Sequence, residues 1–360
     1  MIQCPLPYMH QFIGQDFTKP CCEYTIESKK TPIDFWDSKE LATMRKELEN
    51  GIWPIGCKSC KLAEKNNQLS LRQRSLKEYK VLQVPKIEYV DVRLSNKCNF
   101  KCRTCEPKFS SRIAKESKVH NLKEYYGYEL DKNYIEHSEQ ITQDIIKNLP
   151  NIKKLMFTGG EPTYQPQFYK ILDIIIEEDF TDIFVCITTN ASMITDKLIN
   201  YVSKIKNVHF TLSIDAVGKL AEYVRHGTVW DIVDSNIKRV LELKTSTTFN
   251  TVISAYSLHG LEDLVDYIID NEQDQYSADM HICKDPKHLH PCVLPINMRT
   301  QLTTTVENCI IKLSQSSRHE DYSGAIQVLS ELKSLLDIKY DDKIFKKFTK
   351  HLDTIRNEQI

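Results

Sequence analysis

The sequence lacks the features that direct a chain to a membrane or to nucleic acid. No apolar run approaches the ~20 residues that a transmembrane helix needs. The opening residues, MIQCPLPYMH, lack the charged-then-apolar profile of a signal peptide. The formal net charge is only -1, which gives no general electrostatic surface for nucleic acid. We therefore expect a cytoplasmic protein that binds neither a membrane nor a nucleic acid.

Glycine is scarce, at 10 of 360 residues, so the adjacent pair Gly159 and Gly160 is unusual. Glycine has no β-carbon, so the backbone at such a pair can approach a ligand closely. A simple turn between a strand and a helix is the alternative interpretation.

The composition is that of a soluble globular protein, with 41% hydrophobic and 27% charged residues. The chain has 12 cysteines, and thiols stay reduced in the cytoplasm. Clustered cysteines therefore indicate metal ligands, whereas isolated ones such as Cys186 and Cys309 are expected in the core.

From about Glu88 the sequence alternates between apolar strand patterns and amphipathic helix patterns. Six strands separated by helices predict βαβ units and a parallel sheet. Six units are too few for a closed eight-fold barrel, so a partial barrel or a doubly wound sheet is expected. The predicted domains are an irregular cysteine-rich module at 1–80, the α/β core at 85–285 and a helical extension at 286–360.

The stretch LSNKCNFKCRTCEPK places Cys98, Cys102 and Cys105 in a C-x3-C-x2-C pattern after the first predicted strand. Structural zinc and a [4Fe–4S] cluster each need four ligands. Three cysteines on one loop leave one iron of a cluster without a protein ligand. A small molecule with an amine and a carboxylate could chelate that iron.

This cysteine pattern, followed by GGEPT after the second predicted strand, resembles the radical S-adenosylmethionine (SAM) enzymes over roughly 85–285. The resemblance implies a partial (β/α)6 TIM-like barrel in which the three cysteines ligate a [4Fe–4S] cluster and SAM binds the open iron. It also implies reductive cleavage of SAM to methionine and a 5′-deoxyadenosyl radical that abstracts hydrogen from a substrate. A flavodoxin or ferredoxin is the kind of electron donor expected.

The resemblance also assigns residues around SAM. Glu161, after the glycine pair, is expected near the SAM amino group. The other candidates are Ser213 and Arg225 for the carboxylate, and Asn190 and Asp215 for the ribose or the substrate. The family often has an aromatic residue just before the third cysteine; here that residue is Thr104, so Phe100 is the candidate to pack on the adenine. A helix cap or a surface ion pair is the alternative for each polar residue.

A second set of cysteines precedes the core. The pair in GCKSC, Cys57 and Cys60, has the spacing of a metal knuckle. Cys4 and one of Cys21 and Cys22 would complete four ligands. The set resembles an auxiliary iron–sulfur module of the SPASM/twitch type, although such modules usually follow the barrel and hold two clusters. Zinc and buried free thiols are the alternatives.

Such modules accompany radical SAM enzymes that act mostly on peptides and proteins. We therefore expect a peptide or protein side chain as the substrate. A small-metabolite enzyme and a non-catalytic iron–sulfur electron carrier or adaptor are the alternatives. The segment HICKDPKHLHPC is also rich in histidine and cysteine, but its spacing matches no knuckle and its prolines favour a linker.

Overall fold

The computed structural model describes residues 2–130, 138–338 and 340–359. Their strands are β1 (His10–Ile13), β2 (Thr18–Lys19), β3 (Tyr89–Arg93), β4 (Lys101–Cys102), β5 (Lys154–Thr158), β6 (Phe184–Thr189), β7 (Asn207–Ser213), β8 (Arg225–His226), β9 (Ser246–Ile253) and β10 (Tyr276–Ile282).

The helices are α1 (Leu6–Met9), α2 (Pro32–Trp36), α3 (Lys39–Glu49), α4 (Lys58–Lys65), α5 (Leu71–Glu78), α6 (Ser111–His120), α7 (Lys123–Tyr126), α8 (Ser138–Asn148), α9 (Pro166–Glu177), α10 (Asp196–Val202), α11 (Gly218–Val224), α12 (Trp230–Glu242), α13 (Leu261–Asp270), α14 (Ile296–Gln315), α15 (Ser323–Leu335) and α16 (Lys343–Arg356). No helix in the described ranges is both long and apolar enough to cross a membrane.

The described residues form two compact units. The first draws on Met1–Asn96, Lys132–Ile187 and Lys197–Val208. Its strands lie in the order β6-β5-β3-β1-β2, and every neighbouring pair is parallel except β1 and β2. Leu155 and Phe157 of β5 are fully buried, as β-strand alternation requires when one face meets the core. The parallel arrangement directs β3 and β5 toward one edge of the sheet.

The second unit draws on Lys97–Asp131, Thr188–Asp196 and His209–Ile360. In this unit β9 pairs in parallel with both β7 and β10. A separate antiparallel pair joins β4 to β8. Helices α13, α14 and α15 pack against one another in sequence, and α15 also packs against β10. The second unit therefore combines parallel strands with the carboxyl-terminal helices.

The predicted fold class is confirmed as a mostly parallel α/β fold with a helical extension. All six strands expected between 87 and 285 are present, at β3, β5, β6, β7, β9 and β10. The pattern missed β1, which adds to the sheet beside β3, because four residues are too few to show a strand periodicity. The domain boundaries drawn from the sequence remain predictions.

The segment expected to be a linker is packed into the protein. Short 3-10 helices occupy Lys287–Leu289 and Pro291–Val293. His290 accepts a hydrogen bond at Nδ1 from the backbone N–H of Cys292 at 3.1 Å. The Cys292 thiol in turn donates to the carbonyl of Leu335 at 3.1 Å. These two residues therefore have structural partners within the protein.

Candidate functional site

The cysteine loop is anchored by a strand pair at its middle ligand. Cys102 lies in β4 and is the register partner of Arg225 in β8. The neighbouring N–H of Arg103 donates to the carbonyl of Val224 at 2.8 Å. Cys98, Cys102 and Cys105 are all partly buried. Backbone pairing therefore holds the middle of a loop whose three cysteines are partly shielded from bulk water.

The charge balance of this loop suits a cationic group. Burial raises the pKa of Cys102 and of Cys105, and the thiolates of Cys102 and Cys98 raise the pKa of Cys105 further. Thiolates crowded in a desolvated loop repel one another, and a bound metal centre removes that penalty. In the part of the chain that the structure describes, no three His, Cys, Asp or Glu residues are grouped as a site for one metal ion. The fit to an iron–sulfur cluster therefore rests on the chemistry of the three sulfur donors.

A side-chain network joins the cysteine loop to the segment after β6. Asn99 accepts a hydrogen bond at Oδ1 from Asn190 Nδ2 at 2.9 Å and donates from Nδ2 to Ser192 Oγ at 2.7 Å. Asn190 Oδ1 also accepts from the backbone N–H of Ser192 at 3.0 Å. The predicted Asn190 thus lies beside the cysteine loop. Sequence reasoning missed Asn99, although it directly follows the first cysteine of the pattern.

A buried ion pair lies at the other side of the loop. Arg225 Nη1 donates to Asp215 Oδ2 at 2.9 Å, and Asp215 Oδ1 accepts from the backbone N–H of Val252 at 2.9 Å. Burial opposes the charge of Arg225, but the thiolates of Cys102 and Cys98 and the carboxylate of Asp215 outweigh it and raise the pKa of the guanidinium. The Nε of Arg225 is buried and has no hydrogen-bond partner within the described structure. It is therefore a charged donor available to an anionic group.

Two other predicted site residues, Phe100 and Ser213, also belong to this unit. Phe100 is 2% exposed, and its backbone N–H lies 3.4 Å from the sulfur of Cys98. Its ring packs so close to Gly227 that a β-carbon there would lie 3.0 Å from Phe100 Cδ1. Ser213 ends β7, half-buried, as the register partner of Asn250. Phe100 thus packs within the cysteine loop and against Gly227. Ser213 is placed only by its strand position.

The glycine pair and Glu161 belong to the first unit. Gly159 and Gly160 have φ of 67° and 55°, in the left-handed region that glycine adopts without strain. A β-carbon at Gly159 would also lie 2.6 Å from Cγ of Arg93. Glu161, 1% exposed, accepts hydrogen bonds from the Thr163 hydroxyl at 2.7 Å and its backbone N–H at 3.2 Å. Glycine is therefore required here by the local backbone, and Glu161 caps the turn that follows.

The amino-terminal cysteines also lie in the first unit. Cys57 ends a 3-10 helix, Cys60 lies in the following α4, and Cys4 and Cys57 pack against the same apolar cluster. The segment after Cys21 is tied to this knuckle, since the Thr25 N–H donates to the Gly56 carbonyl at 3.0 Å. Cys21 is buried, whereas Cys22 is exposed.

The same thiols influence one another electrostatically. Burial, with the thiolates of Cys4 and Cys60, raises the pKa of Cys57 to about 12. Burial also raises the pKa of Cys21, and four neighbouring thiolates add to that effect: Cys22, Cys4, Cys57 and Cys60. These electrostatic effects link Cys4, Cys21, Cys22, Cys57 and Cys60, and Cys4 and Cys57 also pack against one apolar cluster.

Comparison with known proteins finds a family match over the middle of the chain. Residues 92–268 match the radical SAM superfamily. The radical SAM cyclopropyl synthase TigE of Paramaledivibacter caminithermalis is 29% identical over 188 residues, which is 50% of this chain and 39% of that protein. The GTP 3′,8-cyclase of Clostridium perfringens strain 13 is 26% identical over 197 residues, which is 52% of this chain and 54% of that protein.

The matched segment thus spans about half or less of these curated relatives. Among solved structures, Streptococcus suis SuiB bound to precursor peptide SuiA aligns with 75% of this chain and 59% of that chain. The sequence identity of that alignment is 18% and its TM-score is 0.43.

Proposed function

We propose that this protein, whose residues 92–268 match the radical SAM superfamily, cleaves SAM reductively to start radical chemistry on a substrate. The observation that carries this proposal is the anchored loop with Cys98, Cys102 and Cys105, whose three thiols suit three irons of a [4Fe–4S] cluster. When bound, that cluster supplies the electron that splits SAM into methionine and the hydrogen-abstracting 5′-deoxyadenosyl radical. The polypeptide binds, orients and shields the reactants.

We assign Arg225 to the SAM carboxylate. Its unpartnered Nε is a buried charged donor, and hydrogen bonds between charged groups are stronger than neutral ones. Asp215 fixes the guanidinium through Nη1, which leaves Nε for the ligand. Asn190 is held by Asn99 and remains our candidate for the ribose or the substrate. The roles of Gly159, Gly160, Glu161, Ser213 and Phe100 toward SAM are proposals from the family resemblance.

We further propose that Cys4, Cys21, Cys57 and Cys60 hold an auxiliary iron–sulfur cluster of the SPASM/twitch kind. The support is the apolar cluster against which Cys4 and Cys57 both pack, and the mutual effect of the thiolates on their pKa values. Cys22 is left out of the ligand set because its side chain is exposed while that of Cys21 is buried. Such a cluster would give the enzyme a second redox centre.

The proposed substrate is a peptide or protein side chain, handled in the cytoplasm with flavodoxin or ferredoxin as the electron donor. This substrate class rests on the auxiliary cysteine set. A small metabolite is the second candidate, because the matched relatives include a GTP 3′,8-cyclase. A non-catalytic electron carrier or adaptor would keep the cysteines without cleaving SAM.

The test is anaerobic reconstitution with iron and sulfide, followed by addition of SAM and dithionite. We expect 5′-deoxyadenosine by liquid chromatography from the parent protein and none above background from Cys102→Ala. Cys309→Ala is the matched control, because Cys309 is a buried cysteine in α14, outside both proposed ligand sets, and should leave the yield unchanged. A parent protein that binds an iron–sulfur cluster but does not cleave SAM would support the electron-carrier alternative instead.

A further inference from the structure

Arg103 lies between two proposed cluster ligands, Cys102 and Cys105, in the sequence, and its side chain is completely buried. It follows Cys102 directly, and its exposed fraction is 0%. Ligation of iron needs only the cysteines, so nothing in the cluster chemistry demands an arginine here. Burying a guanidinium is unfavourable unless its charge is paired and its N–H groups are bonded. The partners of Arg103 therefore reveal what this residue does.

The two carboxylate partners come from α16 and the residues that follow it, and a third partner is Tyr223 of α11. Arg103 Nη2 donates to Asp353 Oδ1 and to Glu358 Oε2, each at 2.6 Å. Its Nε donates to the carbonyl of Tyr223 at 3.0 Å, and its Cζ lies 3.7 Å from the centroid of the Tyr223 ring. Tyr223 also donates from its hydroxyl to Asp353 at 3.0 Å. Two carboxylates about 250 residues away in sequence thus neutralise one cation inside the cysteine loop.

A second ion-pair chain reaches the residue on the other side of Cys102. Lys101 Nζ donates to Glu116 Oε1 at 2.5 Å. Glu116 Oε2 also accepts from Arg356 Nη2 at 2.6 Å, and the Arg356 side chain is 0% exposed. Both neighbours of the middle ligand are therefore tied, directly or through one carboxylate, to α16 and the residues that follow it. The strand partner of Lys101, His226, is likewise hydrogen-bonded to Glu358.

An apolar contact seats α16 firmly enough to hold these charges in place. Phe348 and Leu352 are fully buried in a cluster that includes Leu122 and Tyr256. The hydroxyls of Tyr256 and Thr349 lie 2.8 Å apart in a hydrogen bond. If the ion pairs of Arg103 are removed, α16 should therefore stay packed in place, whereas the cysteine loop should become more mobile.

We propose that Arg103 is a positioning residue that holds the cysteine loop in place for cluster binding through its ion pairs with Asp353 and Glu358. Lys101 supports the same loop through Glu116, which also binds Arg356. The inference rests on the proposed function, since it gives the loop a cluster to hold. Groups that orient metal ligands from the outer shell commonly change metal affinity when they are removed. Here the outer shell of the cluster is supplied by the helical extension.

The test uses a double variant that carries both Asp353→Asn and Glu358→Gln. This variant and the parent protein are each reconstituted without oxygen as the whole 360-residue chain. The measurement is the decay of the electron paramagnetic resonance (EPR) signal that responds to SAM, after addition of an iron chelator. We expect this decay to be about 10-fold faster in the double variant. The control is Lys347→Ala in α16, which breaks an exposed ion pair with Glu124 of α7, and its signal should decay at the parental rate.

A role in folding alone would lower the melting temperature of the double variant but leave the decay rate unchanged, and that result would overturn the inference. If the double variant fails to fold, Arg103→Lys replaces it. Lysine keeps the charge but lacks the Nε donor to the Tyr223 carbonyl and the planar group that lies over the Tyr223 ring, so faster decay is again expected. A parent protein with no SAM-responsive signal would refute the proposed function. A normal parent with unaffected variants would refute only the positioning role.

Discussion

Cys102 and Arg225 are direct partners across the antiparallel pairing of β4 and β8. The guanidinium of Arg225 opposes the effect of burial on the pKa of the Cys102 thiol, and Asp215 in turn pairs with the guanidinium. One short strand pair therefore links a proposed iron ligand to a buried charge. This relationship leads to the first prediction.

Arg225→Lys should weaken SAM binding without loss of the cluster. Lysine can still pair with Asp215, but it lacks the buried Nε donor assigned to the SAM carboxylate. We expect the Kd for SAM to rise about 10-fold, as removal of a charge-assisted hydrogen bond predicts. Equilibrium dialysis with reconstituted protein measures this. Lys219→Ala, at an exposed cation in neighbouring α11, is the control, and equal Kd values for the variant and the parent would refute the assignment.

Asn99→Ala should loosen the cysteine loop. The substitution removes two hydrogen bonds and leaves the amide of Asn190 without one of its acceptors. We expect the free energy of unfolding to fall by about 1–3 kcal/mol and reconstituted iron to be lost more quickly. Urea unfolding and iron analysis test the two effects. Asn271→Ala removes a single local hydrogen bond to Tyr267 and should lower stability without changing iron retention. If Asn99→Ala keeps its iron as well as this control does, the network does not support the loop.

Cys21→Ser and Cys22→Ser should differ in the iron they retain. If Cys21 is the fourth ligand of an auxiliary cluster, its loss should remove up to about four iron atoms per chain, whereas Cys22→Ser should keep the parental content. Iron and acid-labile sulfide assays give the answer directly. Equal losses in both variants, or zinc without sulfide in the parent protein, would contradict the proposed site.

The double variant Cys57→Ala/Cys60→Ala should distinguish the function of the proposed auxiliary cluster from that of the SAM-binding cluster. Because neither residue belongs to the loop of Cys98, Cys102 and Cys105, reductive SAM cleavage should remain measurable in this double variant. Turnover of the substrate, once identified, should be abolished, because the auxiliary redox centre is missing. The yields of 5′-deoxyadenosine and of modified substrate are compared. Product formation at the parental rate would contradict a role for the auxiliary site.

Gly159→Ala should destabilise the protein more than Gly127→Ala. Both glycines have positive φ, so each substitution carries the strain of a left-handed residue, about 1–2 kcal/mol. At Gly159 the new β-carbon would also meet Arg93 at 2.6 Å, whereas Gly127 has open space around it. Overpacking adds about 1–3 kcal/mol at Gly159. Urea denaturation of both variants isolates this difference, and equal losses would show that the close approach to Arg93 is unimportant.

The sequence was informative where the signal was local. The alternation of strands and helices after Glu88 predicted the six core strands, because periodicity over five to eight residues is readable without tertiary context. The cysteine spacing identified the loop for the same reason. The GGE stretch was found from its rarity, since two adjacent glycines stand out in a chain with 10.

The rest depended on contacts distant in sequence. Arg103 looks like an ordinary polar residue in the cysteine motif, because its carboxylate partners lie at 353 and 358. The strand β8 has two residues and shows no pattern, yet it pairs with the middle cysteine. Our proposal of Cys21 over Cys22 as a ligand likewise rests on burial, which the sequence of two adjacent cysteines does not reveal. Long-range pairing and burial are therefore what the structure adds.

The most direct test of the central claim is EPR spectroscopy of the dithionite-reduced Cys57→Ala/Cys60→Ala double variant, with and without SAM. In this background the loop of Cys98, Cys102 and Cys105 is the only proposed cluster site. We predict a [4Fe–4S] signal whose shape changes when SAM is added, because the iron without a protein ligand binds the cofactor. A cluster signal that is identical with and without SAM would contradict the account.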